Sequence, residues 1–479
     1  MKIHRRQFVA GASGIALTAG LAACGQQTTK AAEVAPTVQP AATVQNVLDA
    51  DITEVKDELV ETFLAESFNE GQPAAQAADV VTSWEELQTD PGLMSRAKTV
   101  VKDVGSNTLK AKSIADAESP DYIRFVASDF GKDGELAAAE FTITDAVLRS
   151  IAEANGYTAA LKLETQPTVI VGLRGCALTD RDTASATGAS ITVKEAAVDH
   201  VRRRCLVCVW DTKTGNIQAF SGSTVPNLVN MQYYVFWRFF QTGQSPEKWT
   251  HGQTMACLLP QGLHQYTVGV HLRREPKTRQ QPGALIQTTP TPVLRAKRDV
   301  GYSILDEWDP LDWEPGGSER GVRLVGVNIH AGVNRALPPY ASKGCQTIFG
   351  WYTAGTTPEM LWKDFQSSLG ITVSQDAAGA VKFTKEGAVF PYMLTTGRDA
   401  RLHAAAAGDP VGIGALKRVL LGSKGKGASA LREFLKLPAG DTVDGKVMAG
   451  LLKWQKGNDL PRDGVVTPKL STDWKINAI

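Results

Sequence analysis

The segment GVRLVGVNIHAGVNRALPPYASKGCQTIFG carries the residues best placed for covalent chemistry. Val325, Val327 and Ile329 alternate along a predicted strand, which puts Asn328 and His330 together on its other face. Fifteen residues beyond His330 stands Cys345, preceded by Ser342, Lys343 and Gly344. A cysteine is mostly thiol at neutral pH, so it needs a nearby base to attack a carbonyl, and a histidine on an adjacent strand can be that base. Gly344 lets the backbone turn amide hydrogens toward a developing oxyanion, and Lys343 can favour a thiolate by its charge. The plainer alternative is a buried structural cysteine beside a strand histidine whose nitrogens the fold satisfies.

Other clusters are less specific. Counting Asp129 as position 1 of a calcium loop puts Asp133 at 5, Gly134 at 6, Glu135 at 7 and Glu140 at 12. Asp129, Asp133, Glu135 and Glu140 are therefore candidate ligands for Ca2+ in a loop that resembles an EF-hand, flanked by Phe125 and Phe141 on expected helices. Gly131 and Ala137 lack the oxygens such a loop usually supplies, and a helical hairpin with a solvated acidic turn is the other reading. Cys205 and Cys208 have C-x-x-C spacing, but RCLVCVW reads as a strand, on which the two thiols face apart as small apolar fillers. His251, His264 and His271 show no metal-like spacing and read as loop or site-lining residues. EWDPLDWEPGG crowds Glu307, Asp309, Asp312 and Glu314 around two tryptophans; it reads as a solvated loop, or as a cap over the site that attracts a cationic amine.

Several elements must position these residues. At 479 residues and 51.3 kDa the chain is too long for one compact core, and 43% hydrophobic with 21% charged residues excludes a wholly disordered chain or a polytopic membrane protein. A formal charge of +1 argues against a nucleic-acid partner. The charge is uneven, with 21 acidic against 9 basic residues between Asn46 and Ser150 and 7 against 12 from Ala405 to Ile479. The expected architecture is multidomain α+β: a helical N-terminal region, a mainly β catalytic-type domain and a small three-helix C-terminal module. In residues, 1–23 is an export signal, 24–45 a lipid-anchored linker, 46–162 the acidic helical region, 163–375 the mainly β domain, 376–410 a connecting segment and 411–479 the C-terminal module.

Within the β domain, TVIVGLRG, SITVKEAAV, RCLVCVW, YTVGVHL and GVRLVGVNIHAG read as strands and Asp211 to Gly215 as a hairpin turn. Helical stretches are expected around Met231 to Gln241 and Met360 to Leu369. At the N-terminus, a basic start and a short apolar run from Phe8 to Ala23 have the anatomy of an export signal. Arg5-Arg6 followed by Phe8 resembles the twin-arginine signal, and Leu21-Ala22-Ala23-Cys24 resembles a lipobox, which implies acylation of Cys24.

The His330/Ser342/Gly344/Cys345 pattern resembles the L,D-transpeptidase (YkuD-type) catalytic domain, with the likeness spanning roughly Val201 to Trp351. Lys343 stands where that family has a second histidine, the His-to-Ser loop is shorter, and Gln346-Thr347 replaces the usual Ile/Val-Arg or Asn. Trp454-Gln455, Leu460, Asp463-Gly464 and Thr467-Pro468 resemble a peptidoglycan-binding module, which implies wall-binding roles for Trp454, Gln455 and Asp463. Together these resemblances imply a membrane-anchored envelope lipoprotein on the periplasmic side. They imply that Cys345 and His330 act on peptidoglycan stem peptides by L,D-transpeptidation or carboxypeptidation, without a cofactor for catalysis. The rival is a non-catalytic wall-binding or calcium-responsive lipoprotein. Changing Cys24 to Ser is expected to abolish lipid labelling and move the protein from the membrane to a soluble extracytoplasmic fraction, read by fractionation.

Overall fold

β-Branched and aromatic residues in runs buried on both faces build the centre of the molecule. In TVIVGLR, Val169, Val171 and Leu173 enter one core cluster while Ile170 enters another, so the run is apolar almost throughout instead of alternating with polar residues. The computed structural model describes residues 140–178, 184–196, 203–225, 257–271, 280–288, 291–296, 308–309, 327–332, 342, 344–353, 357–377, 379–460 and 463–479.

The strands begin with β1 (Glu140–Thr144), β2 (Thr168–Arg174), β3 (Cys176–Ala177), β4 (Ser185–Gly188), β5 (Ser190–Glu195), β6 (Cys205–Asp211) and β7 (Ile217–Ser223). They continue with β8 (Cys257–Leu258), β9 (Gly262–His271), β10 (Gln281–Gln287), β11 (Leu294–Ala296), β12 (Trp308–Asp309), β13 (Ile329–Ala331) and β14 (Gln346–Ile348). Last come β15 (Tyr352–Thr353), β16 (Thr357–Pro358), β17 (Val373–Gln375), β18 (Val381–Phe383) and β19 (Val389–Thr396). The helices are α1 (Asp145–Ala154), α2 (Thr158–Leu161), α3 (Met360–Ser368), α4 (Gly397–Ala405), α5 (Pro410–Ala415), α6 (Lys426–Phe434), α7 (Gly445–Gly457) and α8 (Pro468–Asp473).

The main sheet runs β14-β13-β10-β9-β19-β2-β6-β7, and β14 pairs back onto β7, closing an eight-stranded barrel that β4 extends on one side. Two neighbouring pairs, β13–β14 and β19–β2, are parallel; the rest are antiparallel. All eight strands send a side chain into one cluster, among them Ile170, Val207, Phe220, Tyr266, Leu285, Ile329, Ile348 and Tyr392, so this cluster fills the barrel. Helix α3 adds Leu361, Trp362 and Phe365 to it, with Phe365 edge-on to Phe220. The outer faces of β2, β6, β7 and β19 are covered by α1 and by the β1-β5-β3 sheet, with α4 packed beside them.

Several expectations need correction. The helical region does not run through to residue 162: Phe141 and Ile143 alternate inward on β1, which pairs with β5, and only at Thr144, whose side chain caps α1, does the helix begin. Segment 376–410 is no connector. It supplies the β17–β18 hairpin, the barrel strand β19 between β9 and β2, and α4. The run FPYML is buried on both faces, and Pro391, which has no N–H to donate, precedes the β2 pairing that starts at Tyr392.

The C-terminal helices α6, α7 and α8 surround their own core of Leu431, Val447, Leu451 and Val466. They are nonetheless fused to the barrel: the Leu263 amide donates to the Leu421 carbonyl, Leu420 and Val465 join the barrel's outer cluster, and Arg418 pairs with Asp399 of α4 at 2.9 Å, both side chains buried. The turn at Asp211 to Gly215 and helix α3 lie where the sequence places them; residues 231–241 lie outside the described residues.

Barrel closure depends on Gly222, where an added Cβ would lie 2.4 Å from the Thr347 carbonyl oxygen of β14. Gly222→Ala should therefore cost about 1–3 kcal/mol, whereas Gly414→Ala, with open space around it, should stay within about 0.5 kcal/mol of wild type in chemical denaturation.

Candidate active site

The site forms where β13 and β14 run side by side. Their parallel register pairs Ile329 with Gln346, His330 with Thr347 and Ala331 with Ile348. Ile329, Ala331 and Ile348 point into the barrel, so Asn328 and His330 share the outward face, as the alternation predicts, with Cys345 extending β14 beside Asn328. Strand spacing and rise put the Cα atoms of Cys345 and His330 on a diagonal of roughly 8 Å, within reach of a thiol and an imidazole. The Asn328 amide donates to Cys345 Sγ at 3.4 Å, the kind of donor that a sulfur needs if it is to carry negative charge.

His330 is buried, and its Nδ1 lies 2.6 Å from the Ala331 carbonyl oxygen. A carbonyl only accepts, so Nδ1 bears the proton and Nε2 is the basic nitrogen. Burial pushes the imidazole down to about 4, so at neutral pH the ring is uncharged and able to take a proton. His271, at the end of β9, stacks on it with ring centroids 4.1 Å apart and planes 10° apart. Burial, and then the neighbouring His330, hold His271 well below the usual histidine range. The sequence marks His271 only as site-lining. The signal for more is its phase: it falls on the strand face opposite Tyr266 and Val268, which point into the barrel.

The turn into β14 is held by Ser342 and Gln346. Ser342 Oγ accepts from the Gly344 amide at 3.0 Å and donates to the Cys345 carbonyl at 2.7 Å. Gly344 has φ 142°, in the region that favours glycine, so its turning role stands. Its amide is committed to Ser342, and the Gln346 amide to the Asn328 carbonyl, so the expected oxyanion role does not fall to Gly344 N–H. Gln346 is fully buried, donating from Nε2 to the Gly344 carbonyl and accepting from Tyr392 Oη at 3.0 Å. Sequence reasoning treats Gln346 as a departure from a motif and misses this bracing. The sequence carries no signal for it, because the bracing depends on the remote Tyr392.

The remaining candidates lie apart from this site or outside the described residues. Cys24, Lys343, His251, Asp129, Asp133 and Glu135 are outside them, as are Glu307, Asp312 and Glu314. Glu140 is exposed and opens β1 where an EF-hand would start its second helix, so the expected ligand geometry is not met there. Among the described residues no group of three or more His, Cys, Asp or Glu could hold a metal, and no helix is long and apolar enough to cross a membrane. Cys205 and Cys208 are buried on opposite faces of β6, and burial pushes the Cys208 thiol up to about 12, so these two are fillers as expected. His264 is buried against the Pro260 carbonyl, away from the pair.

In the C-terminal module, Gln455 is buried and grips the Asp463-Gly464 turn, donating from Nε2 to Asp463 and accepting the Gly464 amide at Oε1. Trp454 is half-buried between Phe434 and Trp474. Gln455 thus serves the module's interior, whereas Trp454 and Asp463 are only partly buried.

Compared with known proteins, the chain matches no family model, no curated protein and no solved structure.

Burial raises the Asp463 carboxyl to about 6. Its folded value exceeds the unfolded one, so between about pH 4 and 6 the folded module holds more protons and its stability falls as pH rises through that window. Asp463→Asn keeps the acceptor oxygen without the charge; it should stabilise the module at pH 7 by about 1–2 kcal/mol and flatten this part of the pH dependence in thermal melts.

Proposed function

We propose that the protein is a cell-envelope cysteine enzyme that acts on peptidoglycan stem peptides, by L,D-transpeptidation or L,D-carboxypeptidation through a thioester on Cys345. The observation that carries this reading is the placement of Cys345 and His330 on one outward face of two adjacent parallel strands, with His330 Nε2 left as the base. The motif around these residues supplies the substrate class, and the export and lipobox pattern supplies the place, with Cys24 as the membrane anchor.

In the first half-reaction His330 Nε2 takes the Cys345 proton as the sulfur attacks the carbonyl that precedes the terminal D-residue. The tetrahedral intermediate collapses with His330 returning that proton to the leaving amine, and D-alanine departs. An acceptor amine, or water, then gives a proton to His330 and attacks the thioester; the proton passes to sulfur and the thiol is restored. Since His330 is neutral at rest, the charged pair exists only while a substrate is reacting. Ser342 fixes the turn that presents the sulfur.

Cys345→Ala should abolish acyl-enzyme formation with a stem peptide or a carbapenem-type β-lactam, seen as loss of the mass adduct. His330→Ala should slow it by about 10²–10⁴. Cys205→Ser should leave the adduct unchanged, because that thiol is buried. A wild-type Cys345 that takes up neither probe would leave a non-catalytic binding lipoprotein as the function.

A further inference from the structure

The structure pairs His330 with a second histidine whose protonation state is fixed by its surroundings. Asn328 Oδ1 accepts from the Gln287 main-chain amide at 3.1 Å, and a main-chain N–H can only donate, so the carboxamide orientation is set. Its Nδ2 therefore donates to His271 Nδ1 at 2.9 Å. That nitrogen carries no proton; His271 is the Nε2–H tautomer, the opposite of His330, which bears its proton on Nδ1. To gain a proton at Nδ1, His271 would have to confront the Asn328 N–H. Among the described residues no hydrogen bond engages His330 Nε2. The stack also holds the His330 ring plane against rotation, with a neutral π face beside it when it becomes charged. Among the described residues, the titratable groups on the strands around this pair are the two rings themselves and Cys345, beside Asn328.

We propose that His271 is a positioning residue for the Cys345–His330 pair: locked as its Nε2–H tautomer by Asn328 and stacked on His330, it fixes that ring and leaves His330 as the sole acceptor of the thiol proton. The proposal rests on the catalytic reading above.

The test measures, on the full chain, the rates of Cys345 acylation by a carbapenem and of its alkylation by iodoacetamide across pH 5–9, with thermal melts to establish folding. His271→Ala should slow acylation at pH 7 by about 10–100-fold and move the alkylation midpoint toward about 8.5, the free-cysteine value. His271→Phe, which keeps a flat ring on His330, should recover most of that loss. A folded His271→Ala protein with the wild-type rate and midpoint would overturn the proposal, as would Phe and Ala variants equally impaired, which would mean that His271 acts by its own protonation. If the variants do not fold, 15N shifts of the wild-type histidine rings decide: an Nδ1-protonated His271 overturns the proposal and the Nε2–H form supports it. A wild-type Cys345 that is neither acylated nor faster than a free thiol would sink the enzyme reading itself. A reactive wild-type thiol indifferent to His271 would sink only this proposal.

Discussion

The parallel pairing of β13 with β14 is the constraint on which the candidate site depends. It is only three residues long, and parallel ladders are somewhat weaker per residue than antiparallel ones, so this register cannot be held by its own hydrogen bonds. The barrel holds it from three sides. Ile329 and Ile348 are buried inside, β7 clamps β14 from the next position, and β10 clamps β13. Two tyrosines in edge-to-face contact complete the support: Tyr266 Oη donates to the Val327 carbonyl and Tyr392 Oη to Gln346 Oε1, so both site strands are tied to the same aromatic pair. A slip of one residue would turn Cys345 inward and remove it from His330.

Electrostatics at the site follow from desolvation more than from charge pairing. His330, His264 and His403 are each held near 4 chiefly by burial, below the unfolded value of about 6.5. Here the unfolded chain binds the extra protons, so this contribution to stability is present above about pH 6.5 and is lost as pH falls toward 4. It opposes the effect of Asp463. At near-neutral pH the His330 ring is therefore uncharged.

The sequence was legible where one face is buried and the other is not. Val327 and Ile329 against Asn328 and His330 gave the strand, its inward side and the polar face together, and the turn at Asp211 and helix α3 followed from equally local signals. It was opaque where burial is two-sided or contacts are remote. In β19, FPYML has no alternation, and only its insertion between β9 and β2 gives it a role. β1 hid at the end of an alanine-rich stretch because strand identity there depends on β5, fifty residues on. Gln455 and Asp463 were read as surface chemistry because a motif reports residue types, whereas their buried bonds to the turn are a matter of packing.

The position of β19 also sets a timetable. Tyr392 pairs with Ile170 and Phe390 with Tyr266, so the barrel cannot close around its core until ribosomal synthesis has passed residue 396, long after His330 and Cys345 have been made. Contacts of such wide sequence separation form late, because the entropy of closing the intervening loop must be met first. A nascent chain therefore carries both residues before the barrel that holds their strands in register has closed. The topology works as a built-in delay: the relative placement of His330 and Cys345 becomes fixed only as the barrel is completed.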